Sequence, residues 1–162
     1  MSKTIVVGIS DLNIAHRGDL LVTYALGSCV GICLYDSIAK IAGLSHIMLP
    51  TIADFSNSEP MREKFADTAI EILLQKMISN GAMKVRMKAK IAGGAQMFSN
   101  ISNASLAGIG ERNVIAVKQE LYRLRIPVVA EDTGNNYGRT VFFDADEGIM
   151  KVKSVNKGEW SF

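Results

Sequence analysis

Two side chains suited to acyl transfer lie close together in this chain. Cys29 stands in the stretch Leu26-Gly27-Ser28-Cys29-Val30-Gly31, and His46, one of two histidines in the whole sequence, follows an apolar run that ends at Asp36. Cysteine is a useful nucleophile only as thiolate, and imidazole titrates in the range needed to generate one. The pair is a candidate cysteine–histidine centre for attack on a carbonyl carbon. Such attack puts negative charge on the carbonyl oxygen, where backbone N–H groups are the usual stabilisers. Gly27 allows close backbone approach to a substrate, so Gly27 and Ser28, with the amides around Ser28 and Cys29, are the oxyanion and substrate-binding candidates. The competing reading is purely structural. Free cysteine is among the most buried residue types, and His46 shares strand parity with Leu44 and Met48.

Whether the two residues meet depends on strand register. Val30 to Tyr35 and Lys40 to Leu49 read as strands, joined by a turn at Asp36-Ser37-Ile38-Ala39. With Tyr35 opposite Lys40, Cys29 falls directly opposite His46 on one face of the hairpin. A slip by one residue would put them on opposite faces.

At 162 residues, 48% hydrophobic and 21% charged, the expectation is one domain over residues 1–162, with enough apolar material for one core. No stretch resembles a signal peptide or approaches the length of a membrane span, which points to the cytoplasm and to no membrane insertion. Cys29 and Cys33 lie on one strand, too far apart along it for a disulfide, and reduced thiols fit a cytosolic protein. With only His16 and His46 to add, no metal site is expected, and no cofactor fingerprint is present. Gly108-Ile109-Gly110-Glu111-Arg112-Asn113 lacks the third glycine of a dinucleotide loop. Net charge is +2. The alternation in Lys84-Val85-Arg86-Met87-Lys88-Ala89-Lys90 reads as one solvated strand face, not a nucleic-acid surface.

In chain order, Thr4 to Ile9 reads as a strand, Ser10 to Gly18 as a loop with His16 on the surface, and Leu20 to Tyr24 as a second strand that turns at Gly27-Ser28. Thr51 to Ser58 reads as a loop. A helix opens at Glu59 or Pro60 and runs to about Ser79, with an apolar stripe of Phe65, Ala69, Ile72, Leu73, Met77 and Ile78 and with Met61 on the same face. A strand from about Val85 to Ala92, a polar loop from Ser99 to Ser105, and a helix from Glu111 stopped by Pro127 follow. Val128 to Ala130, Thr140 to Phe143 and Ile149 to Val155 then read as strands, and Trp160 and Phe162 as a terminus that either docks onto the core, the preferred reading, or awaits a partner. Many strands with two helices inserted point to an α+β domain whose helices cover one side of largely antiparallel, two-layered sheets.

Six blocks, in order, resemble one family. They are Thr23 to Gly31, Leu34-Tyr35-Asp36, Gly43 to Pro50, Gly93-Gly94-Ala95-Gln96-Met97-Phe98, Ile109 to Asn113, and Asp132-Thr133-Gly134-Asn135-Asn136-Tyr137-Gly138-Arg139. Together they resemble the CheD family, the chemoreceptor glutamine deamidases of bacterial and archaeal chemotaxis. The resemblance implies a three-layer α/β/β sandwich with Cys29 as nucleophile, His46 as its base and Thr23 completing the site. It implies conversion of receptor glutamines to glutamate through a cysteine thioester, and the same acyl-enzyme admits hydrolysis of glutamyl methyl esters. The implied partners are chemoreceptor cytoplasmic helices and a CheC-type phosphatase. An adaptor that binds receptors and regulates such a phosphatase without catalysis is the alternative. Tyr137 and Arg139 are candidates for substrate contact, with structural roles equally open. Asn135 departs from the family pattern, which has glycine there. Asn tolerates the left-handed backbone region, so the turn can survive the change.

Overall fold

The computed structural model describes residues 2–54, 61–97 and 108–162. Among these the strands are β1 (Thr4–Val6), β2 (Asp11–His16), β3 (Leu20–Leu26), β4 (Val30–Asp36), β5 (Ile41–Ile47), β6 (Lys88–Gly93), β7 (Val128–Thr133), β8 (Arg139–Asp144), β9 (Met150–Ser154) and β10 (Gly158–Ser161). The main helices are α1 (Ala66–Ser79) and α2 (Ile109–Arg123). One sheet has the order β1-β3-β8-β9-β10 and the other β2-β5-β4-β6-β7. Both are antiparallel except for the β1–β3 and β6–β7 pairs. The architecture is the expected α+β sandwich.

Two apolar layers explain the stacking. Ile32, Leu34, Ile47 and Ile91 of the second sheet pack with Ile70, Leu73, Leu74, Met77, Val117 and Leu121 of the helices. The other face of that sheet, through Cys33, Ala42, Leu44 and Ala92, packs on Leu21, Leu26, Val141, Phe143 and Val152 of the first sheet. Strand β5 is covered on both sides, which is why every one of its residues is buried. Gly43 permits the helix layer to close, since a Cβ there would lie 2.6 Å from the Met77 sulfur.

Several expectations need correction. Ser10 to Gly18 contains strand β2 instead of being a loop throughout: Leu12 and Ile14 are buried toward the helix layer, while Asp11 and His16 are exposed on this edge strand. The β4–β5 register pairs Asp36 with Ile41 and Val30 with Ile47, not Tyr35 with Lys40. The cause is the turn. Asp36 remains in the strand while its carboxylate accepts the N–H groups of Ile38 and Ala39, and Lys40 takes φ +56° inside the loop, donating its N–H to the Asp36 carbonyl. His46 therefore faces Gly31. Because the shift is by two residues, Cys29 keeps its face and is a diagonal neighbour of His46.

Strand β1 ends at Val6, and β6 begins at Lys88 because Lys84–Arg86 forms a 3-10 turn. Helix α1 begins only at Ala66, after Phe65 bridges to Leu49 in extended conformation. Its buried face uses Ile70 and Leu74; Met61 and Ile78 are exposed. Glu59, Pro60 and the Ser99 to Ser105 loop lie outside the described residues, as do residues 55–58 of the expected Thr51 to Ser58 loop, whose first half holds a 3-10 turn at Ile52–Asp54. At the far end, Trp160 packs against the inter-sheet layer and Phe162 exchanges backbone hydrogen bonds with Met150.

Candidate active site

Thr23 comes from β3 in one sheet and His46 from β5 in the other, and both are fully buried. Their side chains meet across the layer, with Thr23 Oγ1 2.7 Å from His46 Nδ1. The same hydroxyl is 2.6 Å from the carbonyl of Val7. A carbonyl can only accept, so the single hydroxyl hydrogen goes to Val7 and Thr23 must accept from the ring. Nδ1 therefore carries the hydrogen, and Nε2 presents a free lone pair. Nε2 is buried and has no hydrogen-bond partner among the described residues. Burial also pulls the His46 pKa down to about 4, so the ring is a neutral base over the physiological range.

Cys29 lies just ahead of β4, half-buried, against the inter-sheet layer on the face from which His46 projects. Burial raises its thiol pKa, with its own backbone N–H pulling in the other direction. The resting pair is thus thiol and neutral imidazole.

The turn before Cys29 is held at each carbonyl. Gly27 O accepts from Ala95 N–H at 2.9 Å and Cys29 O from Gly94 N–H at 2.8 Å. Between them, Ser28 O accepts from the Asn113 side chain at 2.9 Å. Gly93 makes this packing possible: its φ is +113°, and a Cβ would stand 2.3 Å from the Cys29 carbonyl oxygen. Ser28 and Gly27 are both half-buried.

Arg139 and Tyr137 sit beside this turn. The Arg139 side chain is wholly buried; its Nε is 3.0 Å from Asp132 and its Nη1 3.5 Å from the carbonyls of Gly93 and Tyr137. Its guanidinium lies 4.4 Å from the Tyr137 ring centre. Among the described residues its contacts are internal, with Nη2 buried and unpaired, and the side chain braces the Gly93 peptide behind Cys29. Tyr137 is half-buried and stacks edge-on with Trp160. Asn135 adopts φ +61° and Gly134 +81°, so the left-handed turn forms with asparagine in place of glycine.

Cys33, the other thiol, is buried in the inter-sheet layer and unpaired. His16 is exposed. No group of three or more metal-binding side chains occurs among the described residues, and no helix there is long and apolar enough to cross a membrane. Two contributors were missed in the sequence. The Val7 carbonyl has no side-chain signal at all, whereas Asn113 lay in plain view inside the Ile109 to Asn113 block.

Comparison with known proteins follows the same line. A family described as CheD chemotactic sensory transduction matches residues 48–154. The chain is 52% identical over 160 residues to the probable chemoreceptor glutamine deamidase CheD of Caldanaerobacter subterraneus subsp. tengcongensis, covering 97% of this chain and 96% of that protein. It is 46% identical over 159 residues to the chemoreceptor glutamine deamidase CheD of Halalkalibacterium halodurans, covering 98% of each. A third relative, from Clostridium novyi, is 51% identical over 153 residues, with 94% of this chain and 93% of that protein aligned. These alignments extend across the Thr23 to His46 region, which precedes the family match. With half of the sequence shared over nearly its whole length, the chain belongs to the CheD family.

Proposed function

We propose that the protein is a chemoreceptor glutamine deamidase in which Cys29 is the nucleophile, His46 the general base and acid, and Thr23 the residue that orients the ring. The observation that carries this reading is the Thr23–His46 hydrogen bond, which leaves a bare Nε2 on the face of the hairpin that also bears Cys29. Relatives named as glutamine deamidases along the full length supply the substrate class.

As the Cys29 sulfur attacks the side-chain amide carbon of a receptor glutamine, its proton passes to His46 Nε2 and the carbonyl π pair moves onto oxygen. Backbone N–H groups at Ser28 and Cys29 face that oxyanion in this reading. Collapse breaks the carbon–nitrogen bond, and His46 gives its proton to the departing ammonia. A water molecule then transfers a proton to Nε2 and attacks the thioester. The carbon–sulfur bond breaks, the thiol recovers its proton, and the net change is glutamine plus water to glutamate plus ammonia. Glutamyl methyl esters would enter the same acyl-enzyme with methanol leaving.

The substrate is a cytoplasmic helix of a receptor, so the protein would work in the cytoplasm. A CheC-type phosphatase, implied by the family resemblance, would bind at the same face. Arg139 acts in this reading as a brace for the Gly93 turn and not as a substrate ligand.

Mass spectrometry of a chemoreceptor cytoplasmic fragment tests the proposal. Wild type should add about one mass unit per glutamine converted, and Cys29→Ala none. Equal conversion by both proteins would remove Cys29 as nucleophile, and no conversion by wild type across several receptors would remove the deamidase reading.

A further inference from the structure

Asn113 takes no part in the reaction as written, yet it is fully buried and touches both halves of the site. Its Nδ2 donates to the Ser28 carbonyl and to the Met48 carbonyl, each at 2.9 Å. Both neighbours are acceptors, so the amide must turn its NH2 toward them. Oδ1 is left buried without a donor among the described residues. An unpaired buried acceptor is unfavourable. A leucine of similar size would fill the space without it, so packing alone does not account for asparagine here.

The two carbonyls explain the choice. Ser28 C=O belongs to the same peptide as the Cys29 N–H. In a planar trans peptide those groups point in opposite directions, so holding one aims the other. The peptides on either side are held by backbone donors from Gly94 and Ala95. No backbone N–H among the described residues reaches Ser28 O, and Asn113 supplies the missing donor. The approach of α2 is close enough for this because of Gly110, where a Cβ would stand 2.3 Å from the Ala95 carbonyl and 2.6 Å from that of Gly94. Asn113, one turn further, lies on the same helix face.

We infer that Asn113 is a positioning residue that aims the Cys29 N–H into the oxyanion hole and ties that peptide to Met48, two residues beyond His46. The inference rests on the acyl-transfer reading of Cys29 proposed above.

Two reagents separate this role from simple stabilisation. Acylation of Cys29 by p-nitrophenyl acetate passes through a tetrahedral oxyanion, in which the sulfur–carbon bond forms before p-nitrophenolate leaves. Alkylation by iodoacetamide is a direct displacement and needs no oxyanion hole. Asn113→Ala should slow acylation about tenfold or more, while alkylation at the same pH stays within about threefold of wild type. Parallel loss of both rates, or loss of neither, would overturn the inference. Should Asn113→Ala fail to fold, hydrogen exchange in ¹⁵N-labelled wild type decides: the Asn113 side-chain amide should exchange far more slowly than that of exposed Asn136, and equal rates would overturn the inference. Wild type that acylates with this Asn113 dependence but leaves every receptor glutamine unchanged would sink the deamidase proposal and keep the positioning role.

Discussion

Thr23 receives the His46 Nδ1 hydrogen at 2.7 Å because its own hydroxyl hydrogen is committed to the Val7 carbonyl at 2.6 Å. The tautomer of the ring is thereby set from outside the hairpin that carries it, by a strand of the other sheet.

Replacing Thr23 by valine keeps the shape but leaves Nδ1–H buried without an acceptor. Stability should fall by about 1–3 kcal/mol, and the ring loses the contact that selects its tautomer. Turnover of a receptor fragment should drop at least tenfold in Thr23→Val and recover largely in Thr23→Ser. Thermal melts together with deamidation rates check both.

The depressed pKa of His46, about 4 against 6.5 for the ordinary side chain, makes stability depend on pH. Between those values the unfolded chain binds a proton that the folded protein refuses, so unfolding free energy rises with pH through this window. The contribution is fully present above about pH 6.5 and lost as pH falls toward 4, on the order of 3 kcal/mol in all. In His46→Gln, denaturant melts from pH 4 to 7 should show a shallower slope.

Cys29 rests as a thiol, since burial raises its pKa. Its iodoacetamide alkylation rate should climb through pH 9 instead of reaching a plateau near neutrality. Cys33, wholly buried and with its pKa raised further, should stay unmodified until the protein unfolds. Peptide mapping after a pH series distinguishes the two thiols, and a Cys29 plateau below pH 7 would contradict the resting state described here.

Asp36 anchors the hairpin that sets the site's register. Burial alone would raise its pKa, but Arg86 and the N–H groups of Ala39, Met83 and Ile38 bring it down to about 2. Asp36→Ala leaves those donors without their acceptor and should cost about 3 kcal/mol or more. Chemical denaturation measures the loss, and deamidation should weaken with it as the turn loosens.

Gly93→Ala places a methyl group against the Cys29 carbonyl at a backbone angle that L-residues avoid. We expect destabilisation above about 1 kcal/mol and slower Cys29 acylation, because the peptide behind Cys29 must move.

The apolar character of Val30 to Tyr35 and of Lys40 to Leu49 and the turn residues from Asp36 are local signals, so both strands of the hairpin and the shared face of Cys29 and His46 were legible in the sequence. Strand β2 was less so, because an edge strand carries Asp11 and Asn13 that read as loop chemistry. The turn at Lys40 moved the register by two, a choice made by side-chain capping that pattern alone does not encode. What only tertiary structure decided is how β3 crosses to β5. Sequence names His46 by its chemistry and Thr23 by family likeness; the stacking of two sheets brings the hydroxyl to the ring, hands its hydrogen to Val7, and leaves Nε2 without a partner among the described residues. The same holds for Asn113, whose two acceptors, one just before β4 and one just after β5, are brought together at the open end of the hairpin and reach one amide because Gly110 lets helix α2 rest on the backbone beneath it.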